Sequence, residues 1–182
     1  MIYSPGAVAN YFLEKAWSSS QQITPMHLQK LTYFASGWYM ALHDNEKTIK
    51  PLINEPLQAW EYGPVCSSIY HEFKGFGSNP IAKNYLMKEL VVSDDLQNVE
   101  IKTMTIPKDH KEIRELLNSV WDRYASSSAS NLSAMTHFND KHNPWRLAQE
   151  ESKNEGIVRG KEISNSHIKK YFKKLLSEGR AF

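Results

Sequence analysis

Two predicted helices with the same type of start open the chain. Ser4-Pro5 and Thr24-Pro25 each place a capping hydroxyl before a proline at the first helical position, where no backbone N–H is needed. After Pro25, apolar residues recur in steps of three and four, and large aromatic residues also lie off that stripe. A helix that is apolar over most of its circumference is usually central in its domain. We therefore expect residues 25–43 to form the core helix.

A strand and a third helix are expected next. Residues 57–62 alternate in direction as a short strand would, and Gly63-Pro64 interrupts the alternation. Because proline suits the first helical position, we expect a helix to begin there. Gly75 and Gly77 are expected to end that helix.

The second half carries weaker patterns. Residues 82–90 favour a short helix, and residues 99–106 favour a strand that Pro107 ends. Asp109 and Glu112 form a plausible capping pair for the following helix. Ser128 is expected to cap the next one. Beyond it we expect a polar turn over 139–143, an exposed charged stretch over 150–156 and a C-terminal helix over 163–179.

These elements predict a mainly α fold, a single compact helical domain of five to six helices with a small β element, spanning 1–182. The chain has 182 residues, of which 41% are hydrophobic, which is enough for one core. The residues expected to be buried in it are Leu28, Leu31, Trp38, Val65, Ile69, Phe73, Leu116, Val120, Leu132 and Phe172.

Composition points to a cytoplasmic protein. The single cysteine, Cys66, excludes an intrachain disulfide and is typical of a reducing compartment. No apolar run approaches the ~20 residues that span a bilayer. The N-terminus has no basic region before an apolar stretch, so we expect no signal peptide.

Candidate chemistry outside protein binding is sparse. His71-Glu72 and His137 offer acid–base groups, but no phosphate loop, nucleophile elbow or paired-carboxylate motif is present. Cys66 and His71 are five residues apart, off a common helical face, and no metal-binding motif occurs. We therefore expect no catalytic residues, no metal site and no cofactor.

The C-terminal helix has a lysine-rich side formed by Lys169, Lys170, Lys173 and Lys174. Several cations on one face could contact phosphate groups, but the net charge is only +2 and no helix-turn-helix spacing is evident. We interpret this face as solvated, and expect neither nucleic acid nor a membrane as a partner.

Two segments are denser in unusual residues than core packing demands. They are LQKLTYFASGWYMAL from residue 28 and EPLQAWEYGPVCSSIYHEFKGFG from residue 55, followed by LSAMTH from residue 132 and NPW from residue 143. In this order they resemble the Panacea domain, the SocA-like, phage-associated antitoxin family. The resemblance covers nearly the whole chain. The chain departs from the family pattern by extra polar residues over 138–143, which lengthen the loop between His137 and Trp145.

The resemblance implies an antitoxin that neutralises a cognate toxin by direct protein–protein binding. It also allows a role as an adaptor that delivers the toxin to a cellular protease, as one family member does. We expect the partner-binding surface to be formed or supported by residues on the segments that resemble the family most. They are Lys30, Trp60, Glu61, Tyr62, His71, His137 and Trp145.

Two alternatives stay open at this point. Trp60 and Tyr62 could merely brace the strand-to-helix turn, with Glu61 pairing internally with Lys30. The protein could also be an uncharacterised hydrolase or transferase that uses a polar cleft near Glu61 and His71.

Overall fold

The computed structural model describes residues 2–43, 50–93, 98–138, 140–156 and 160–180. The helices in this part of the chain are α1 Pro5–Ser18, α2 Pro25–Leu42, α3 Ser67–Phe73, α4 Lys111–Tyr124, α5 Ala129–Thr136, α6 Pro144–Glu155 and α7 Asn165–Ser177. The strands are β1 Leu57–Trp60, β2 Gly63–Cys66, β3 Lys88–Val92, β4 Val99–Thr103 and β5 Lys161–Glu162. The mainly α class with a small β element is confirmed, but the described residues form seven helices rather than five or six.

Helix α2 is the centre of the fold, as predicted. It packs against α1, α3, α4, α5, α7 and β2. Thr24 caps it and Pro25 occupies its first turn. At Gly37 the ring of Phe172 from α7 comes so close that an added Cβ would lie 2.3 Å from it. All ten residues expected in the core are buried.

The strands form two separate small sheets. In the first, the order is β2-β1-β5 with antiparallel pairing, and Trp60 pairs with Gly63 across a tight turn. In the second, β3 and β4 pair antiparallel as a hairpin, with Leu90 opposite Ile101. The β1–β2 hairpin lies on α2, whereas nearly all residues of the β3–β4 hairpin are exposed or half-buried.

The root of the β3–β4 hairpin is bonded to α1 by a buried amide. Asn10 Nδ2 donates to the carbonyl oxygens of Met87 and Met104 at 2.8 Å each, and the Met87 amide donates to Asn10 Oδ1 at 2.9 Å. The short helix expected over 82–90 is wrong, because β3 begins at Lys88 within that range. The strand expected over 99–106 is confirmed in its first part only, since β4 ends at Thr103, before Pro107.

Two predicted helix starts are also wrong. Gly63-Pro64 begins β2 rather than a helix, and α3 begins at Ser67. Helix α4 begins at Lys111 after His110, whose Nδ1 lies 2.8 Å from the Tyr3 hydroxyl. His110 occupies the N-cap position without a side-chain capping bond, so the expected capping by Asp109 is wrong.

Helix α6 was not expected. Asn143 caps it through bonds from the amides of Trp145 and Arg146, and Pro144 occupies its first turn. The charged stretch over 150–156 lies at the C-terminal end of this helix. Most of its residues are exposed as expected, but Ser152 is buried. The polar turn before it is present from residue 140 onward, and Asn139 lies outside the described residues. No helix in the described part of the chain is long and apolar enough to cross a membrane.

Candidate functional site

A tight turn joins β1 to β2 above the first half of α2. Gly63 has a φ of +99°, a conformation that disfavours side chains. A Cβ there would lie 2.5 Å from Thr136 Oγ1 and 2.6 Å from Lys30 Nζ. Glycine is therefore required at this position both by the backbone conformation and by the close approach of α2 and α5.

Lys30 lies directly beneath this turn and is only 1% exposed. Its Nζ donates to the carbonyl oxygen of Tyr62 and, at 3.2 Å, to that of Pro64. No carboxylate in the described residues forms an ion pair with it, and the Glu61 side chain is exposed. The internal Glu61–Lys30 pairing considered above is therefore not formed.

Burial determines the protonation of Lys30. It disfavours the ammonium and lowers the pKa of Lys30 to about 7. The two carbonyl oxygens act in the opposite direction, because they accept hydrogen bonds that stabilise the charged form. The turn is thus bonded to an amine that can change charge near neutral pH.

Side chains from α5, from His137 at its C-terminal end and from α6 contact the backbone carbonyl groups of residues 60–62. Trp145 Nε1 donates to the Trp60 carbonyl at 2.7 Å, and Ser133 Oγ donates to that of Tyr62 at 3.1 Å. His137 Nε2 lies 3.3 Å from the Glu61 carbonyl oxygen, and its ring packs edge-on against Trp145 at 4.2 Å. The long loop between His137 and Trp145 therefore does not separate them.

These contacts fix the backbone of the turn and leave its two central side chains in solvent. Tyr62 is 63% exposed, and Glu61 is also exposed. Trp60 is half-buried, with its ring edge-on to Tyr70 at 4.7 Å. The result is a preorganised turn that displays one aromatic and one acidic side chain.

A cleft of about 640 Å³ lies beside the turn, between α2, α3, β1 and α6. We call it the hairpin cleft. Its polar groups include Gln29, which is bonded to both backbone groups of Cys66, and Gln149, which donates to the Ala59 carbonyl at 2.8 Å. The residues that line it are Pro25, Met26, Gln29, Lys30, Ala59, Trp60, Glu61, Tyr62, Val65, Tyr70, Lys74, Gly77, Gln149 and Ser152.

The structure brings most of the predicted site residues together. Lys30, His137 and Trp145 touch the backbone of the turn, Trp60 lines the cleft, and Glu61 and Tyr62 are displayed. His71 is exposed on α3, and its ring packs edge-on against Tyr70 at 5.4 Å. Their role in binding a partner stays a prediction. Sequence analysis did not select Gln29, Ser133 and Gln149 as site residues. Gln29 and Ser133 lie within the family-like segments, but only their contacts show that they bind the hairpin backbone.

Other candidate groups lie outside this site. The Cys66 thiol is fully buried, and burial raises its pKa to about 12, so it is protonated at neutral pH. Among the described residues, no three His, Cys, Asp or Glu side chains are grouped so that they could hold a metal ion. On the lysine-rich side of α7, Lys174 is paired with Asp140 at 2.7 Å.

Comparison with known proteins gives the family. The family model described as "Antitoxin SocA-like, Panacea domain" matches residues 28–146, which is more than half of the chain. This chain belongs to the SocA-like antitoxin family. The Panacea domain so defined runs from α2 into α6 and contains the turn, the side chains that bind its carbonyls and ten of the fourteen residues that line the hairpin cleft.

One curated relative supports the same assignment. The protein named "Antitoxin SocA" from Caulobacter vibrioides (strain NA1000 / CB15N) is 32% identical to this Panacea-domain chain over 139 residues. The alignment covers 76% of this chain and 66% of that protein. No solved structure matches the chain.

Proposed function

We propose that this protein is an antitoxin that neutralises a cognate toxin by direct binding, and that the β1–β2 turn and the hairpin cleft form the contact surface. Family membership supports the antitoxin role. The observation that carries the location is the bonding of the turn carbonyls by α2, α5 and α6, which leaves Glu61 and Tyr62 in solvent.

Preorganisation explains why such a turn suits protein binding. A loop that is already fixed loses little conformational entropy on association, so more of its contact energy becomes affinity. An exposed tyrosine is a common energetic anchor of interfaces, and a neighbouring carboxylate contributes orientation and association rate. The cleft beside Tyr62 offers a concave surface for a protruding side chain of the toxin.

The proposal is non-enzymatic. Glu61 and His71 are both exposed, and no hydrogen bond joins their side chains. The arrangement thus gives no support to the hydrolase or transferase alternative. Delivery of the bound toxin to a protease is a further step of the same proposal, and a shortened toxin half-life in cells that make both proteins would report it.

The test uses the neighbouring open reading frame, expressed with and without this protein. We expect that frame alone to arrest growth and the wild-type protein to restore it. Tyr62→Ala and Glu61→Arg should abolish rescue and weaken binding at least about tenfold while the melting temperature stays within a few degrees, because exposed positions contribute little to stability.

Matched variants remote from the turn serve as controls. Leu90→Ala replaces a side chain that is 69% exposed, and Glu115→Arg reverses an exposed charge on α4. Both should retain full rescue. Loss of rescue with Leu90→Ala but not with Tyr62→Ala would move the contact surface to the β3–β4 hairpin, and a neighbouring frame without toxicity would contradict the antitoxin role itself.

A further inference from the structure

A second cavity, of about 350 Å³, lies between α2, α4, α5 and α7. It shares no residue with the hairpin cleft. Its wall includes three phenols, from Tyr33, Tyr124 and Tyr171, and its rim includes Arg123 and Arg180. Its size is near the lower end of ligand pockets, which suits one aromatic ring with a short side chain.

The wall of this cavity includes a residue with an unused hydrogen-bond donor. Tyr33 is 1% exposed, and its hydroxyl has no hydrogen-bond partner among the described residues. Burial, together with the phenols of Tyr171 and Tyr124, raises the pKa of Tyr33 well above its usual value, so the group is a neutral O–H. A buried hydroxyl without a partner destabilises the protein, and an acceptor atom of a bound ligand would remove that cost.

The solvent side of the cavity carries cations. Arg123 and Arg180 are both exposed, and one hydrogen bond of 3.4 Å joins Arg123 Nη2 to the Arg180 carbonyl. Arg180 is 3.5 Å from Glu178, which also faces Lys174 at 3.9 Å. No carboxylate of the described chain forms an ion pair with Arg123.

Aromatic surfaces connect these two ends. Phe34 and Tyr124 stack nearly parallel with ring centroids 4.1 Å apart, and the Arg123 guanidinium lies 5.6 Å from the Tyr124 ring. Aromatic side chains pack favourably against a planar ring, and an arginine guanidinium can bind a carboxylate through two parallel N–H···O bonds.

We propose that this cavity binds a small aromatic carboxylate, with the carboxylate on Arg123, the ring against Phe34 and Tyr124, and a polar atom at the far end accepting from the Tyr33 hydroxyl. The site is separate from the proposed toxin-binding surface. The exposed guanidinium of Arg123 binds the carboxylate. The buried phenol of Tyr33 favours ligands that carry a hydrogen-bond acceptor at the end of the ring remote from the carboxylate.

The test is ligand titration of the full chain by NMR with defined probes. 4-Hydroxyphenylacetate has both groups, phenylacetate lacks the far acceptor, and 4-hydroxyphenylacetamide lacks the charge. We expect saturable binding of the first, and binding at least about tenfold weaker for the amide, because a charge-assisted bond is lost. Arg123→Gln should weaken 4-hydroxyphenylacetate by a similar factor, whereas Arg146→Gln, on the surface of α6, should leave it unchanged.

Tyr33→Phe distinguishes a ligand contact from a structural role. It should weaken 4-hydroxyphenylacetate severalfold and leave phenylacetate unaffected, while the melting temperature is kept or raised because an unpaired hydroxyl is removed. The proposal is overturned if the folded protein shows no saturation up to about 10 mM probe. Equal weakening by Arg123→Gln and Arg146→Gln, or equal affinity for the acid and the amide, would show adventitious binding and would also overturn it.

Discussion

Both hairpins are bonded to a core helix by buried polar side chains, and two of these side chains, Asn10 and Lys30, differ in charge. Asn10 of α1 joins the root of the β3–β4 hairpin through a neutral amide whose bonds to Met87 and Met104 satisfy both of its ends. Lys30 of α2 joins the β1–β2 turn through an amine that burial makes easier to deprotonate.

The difference extends to what each hairpin displays. The β1–β2 turn is bonded at several carbonyls in succession, so the residues it displays are fixed in position. The β3–β4 hairpin is bonded to α1 at its root, and its exposed apolar residues Leu90 and Ile101 lie on strands that, within the described part of the chain, form a two-stranded sheet. Two-stranded hairpins are marginally stable alone. The comparison teaches that a hairpin gains rigidity from side chains that bind its backbone, wherever those lie in the sequence.

The largest effect is expected from Gly63→Ala. The added Cβ would lie within 2.6 Å of Thr136 Oγ1 and Lys30 Nζ, at a φ of +99°. Strain and overpacking together should lower the free energy of unfolding by about 3 kcal/mol in a urea titration. Gly156→Ala is the control, because Gly156 has a left-handed α conformation with φ +70° but no atom within 4 Å of an added Cβ, and it should cost only about 1 kcal/mol. Equal losses would show that the crowding around the turn is unimportant.

Asn10→Ala should have the next largest effect, since it leaves the backbone groups that Asn10 binds without these partners. We expect a loss of about 2 kcal/mol, and faster hydrogen exchange at the amides of Met87 and β3. Asn79→Ala, at an exposed amide, should change stability by less than about 0.5 kcal/mol. Unchanged exchange in β3 would mean that the hairpin does not depend on α1.

The last expected effect is a pH dependence of stability, which Lys30 can produce and the neutral Asn10 cannot. The pKa of Lys30 is about 7 when folded and 10.5 as the ordinary value, so between these pH values the unfolded chain binds a proton that the folded chain does not. The contribution of Lys30 to stability therefore rises with pH across this window, by about 2 kcal/mol after the opposing effect of the two carbonyls. Cys66 acts in the opposite direction above about pH 9, because burial raises its pKa from 9.0 to about 12, and Lys30→Met leaves that effect in place.

Urea titrations at about pH 7 and about pH 10 measure this term. Lys30→Met should lose the rise, whereas Asn10→Ala should retain it in parallel with wild type. If wild type and Lys30→Met show the same slope, the carbonyls of Tyr62 and Pro64 keep the amine protonated in the folded protein.

The sequence predicted those elements whose signals are local. Ser4-Pro5 and Thr24-Pro25 located α1 and α2 because capping and proline geometry act within one turn. Asn143-Pro144 has the same form, but α6 was missed because its buried face uses small residues such as Ala148 and Ser152 instead of an apolar stripe. A Gly-Pro pair is compatible with a hairpin as well as with a helix start. Here the Pro64 carbonyl accepts a hydrogen bond from Lys30, a residue far away in sequence, which favours the hairpin.

The candidate site was predicted as a set of residues but not as an arrangement. The dense aromatic and polar segments pointed to Lys30, Trp60 and Tyr62, which the structure brings together at the hairpin cleft, and their role in binding stays a prediction. Which of them hold the turn and which are displayed depends on contacts from Trp145 and His137, far along the chain. Pattern and capping rules describe neighbours in sequence, so they could not assign these roles.

The burial of Cys66 gives the protein an internal chemical reporter. Its backbone is bonded on both sides to Gln29 of α2, and its thiol is inaccessible and protonated. Alkylating reagents attack only an exposed thiolate. The rate at which Cys66 is alkylated therefore reports how often β2 separates from α2 and exposes the thiol.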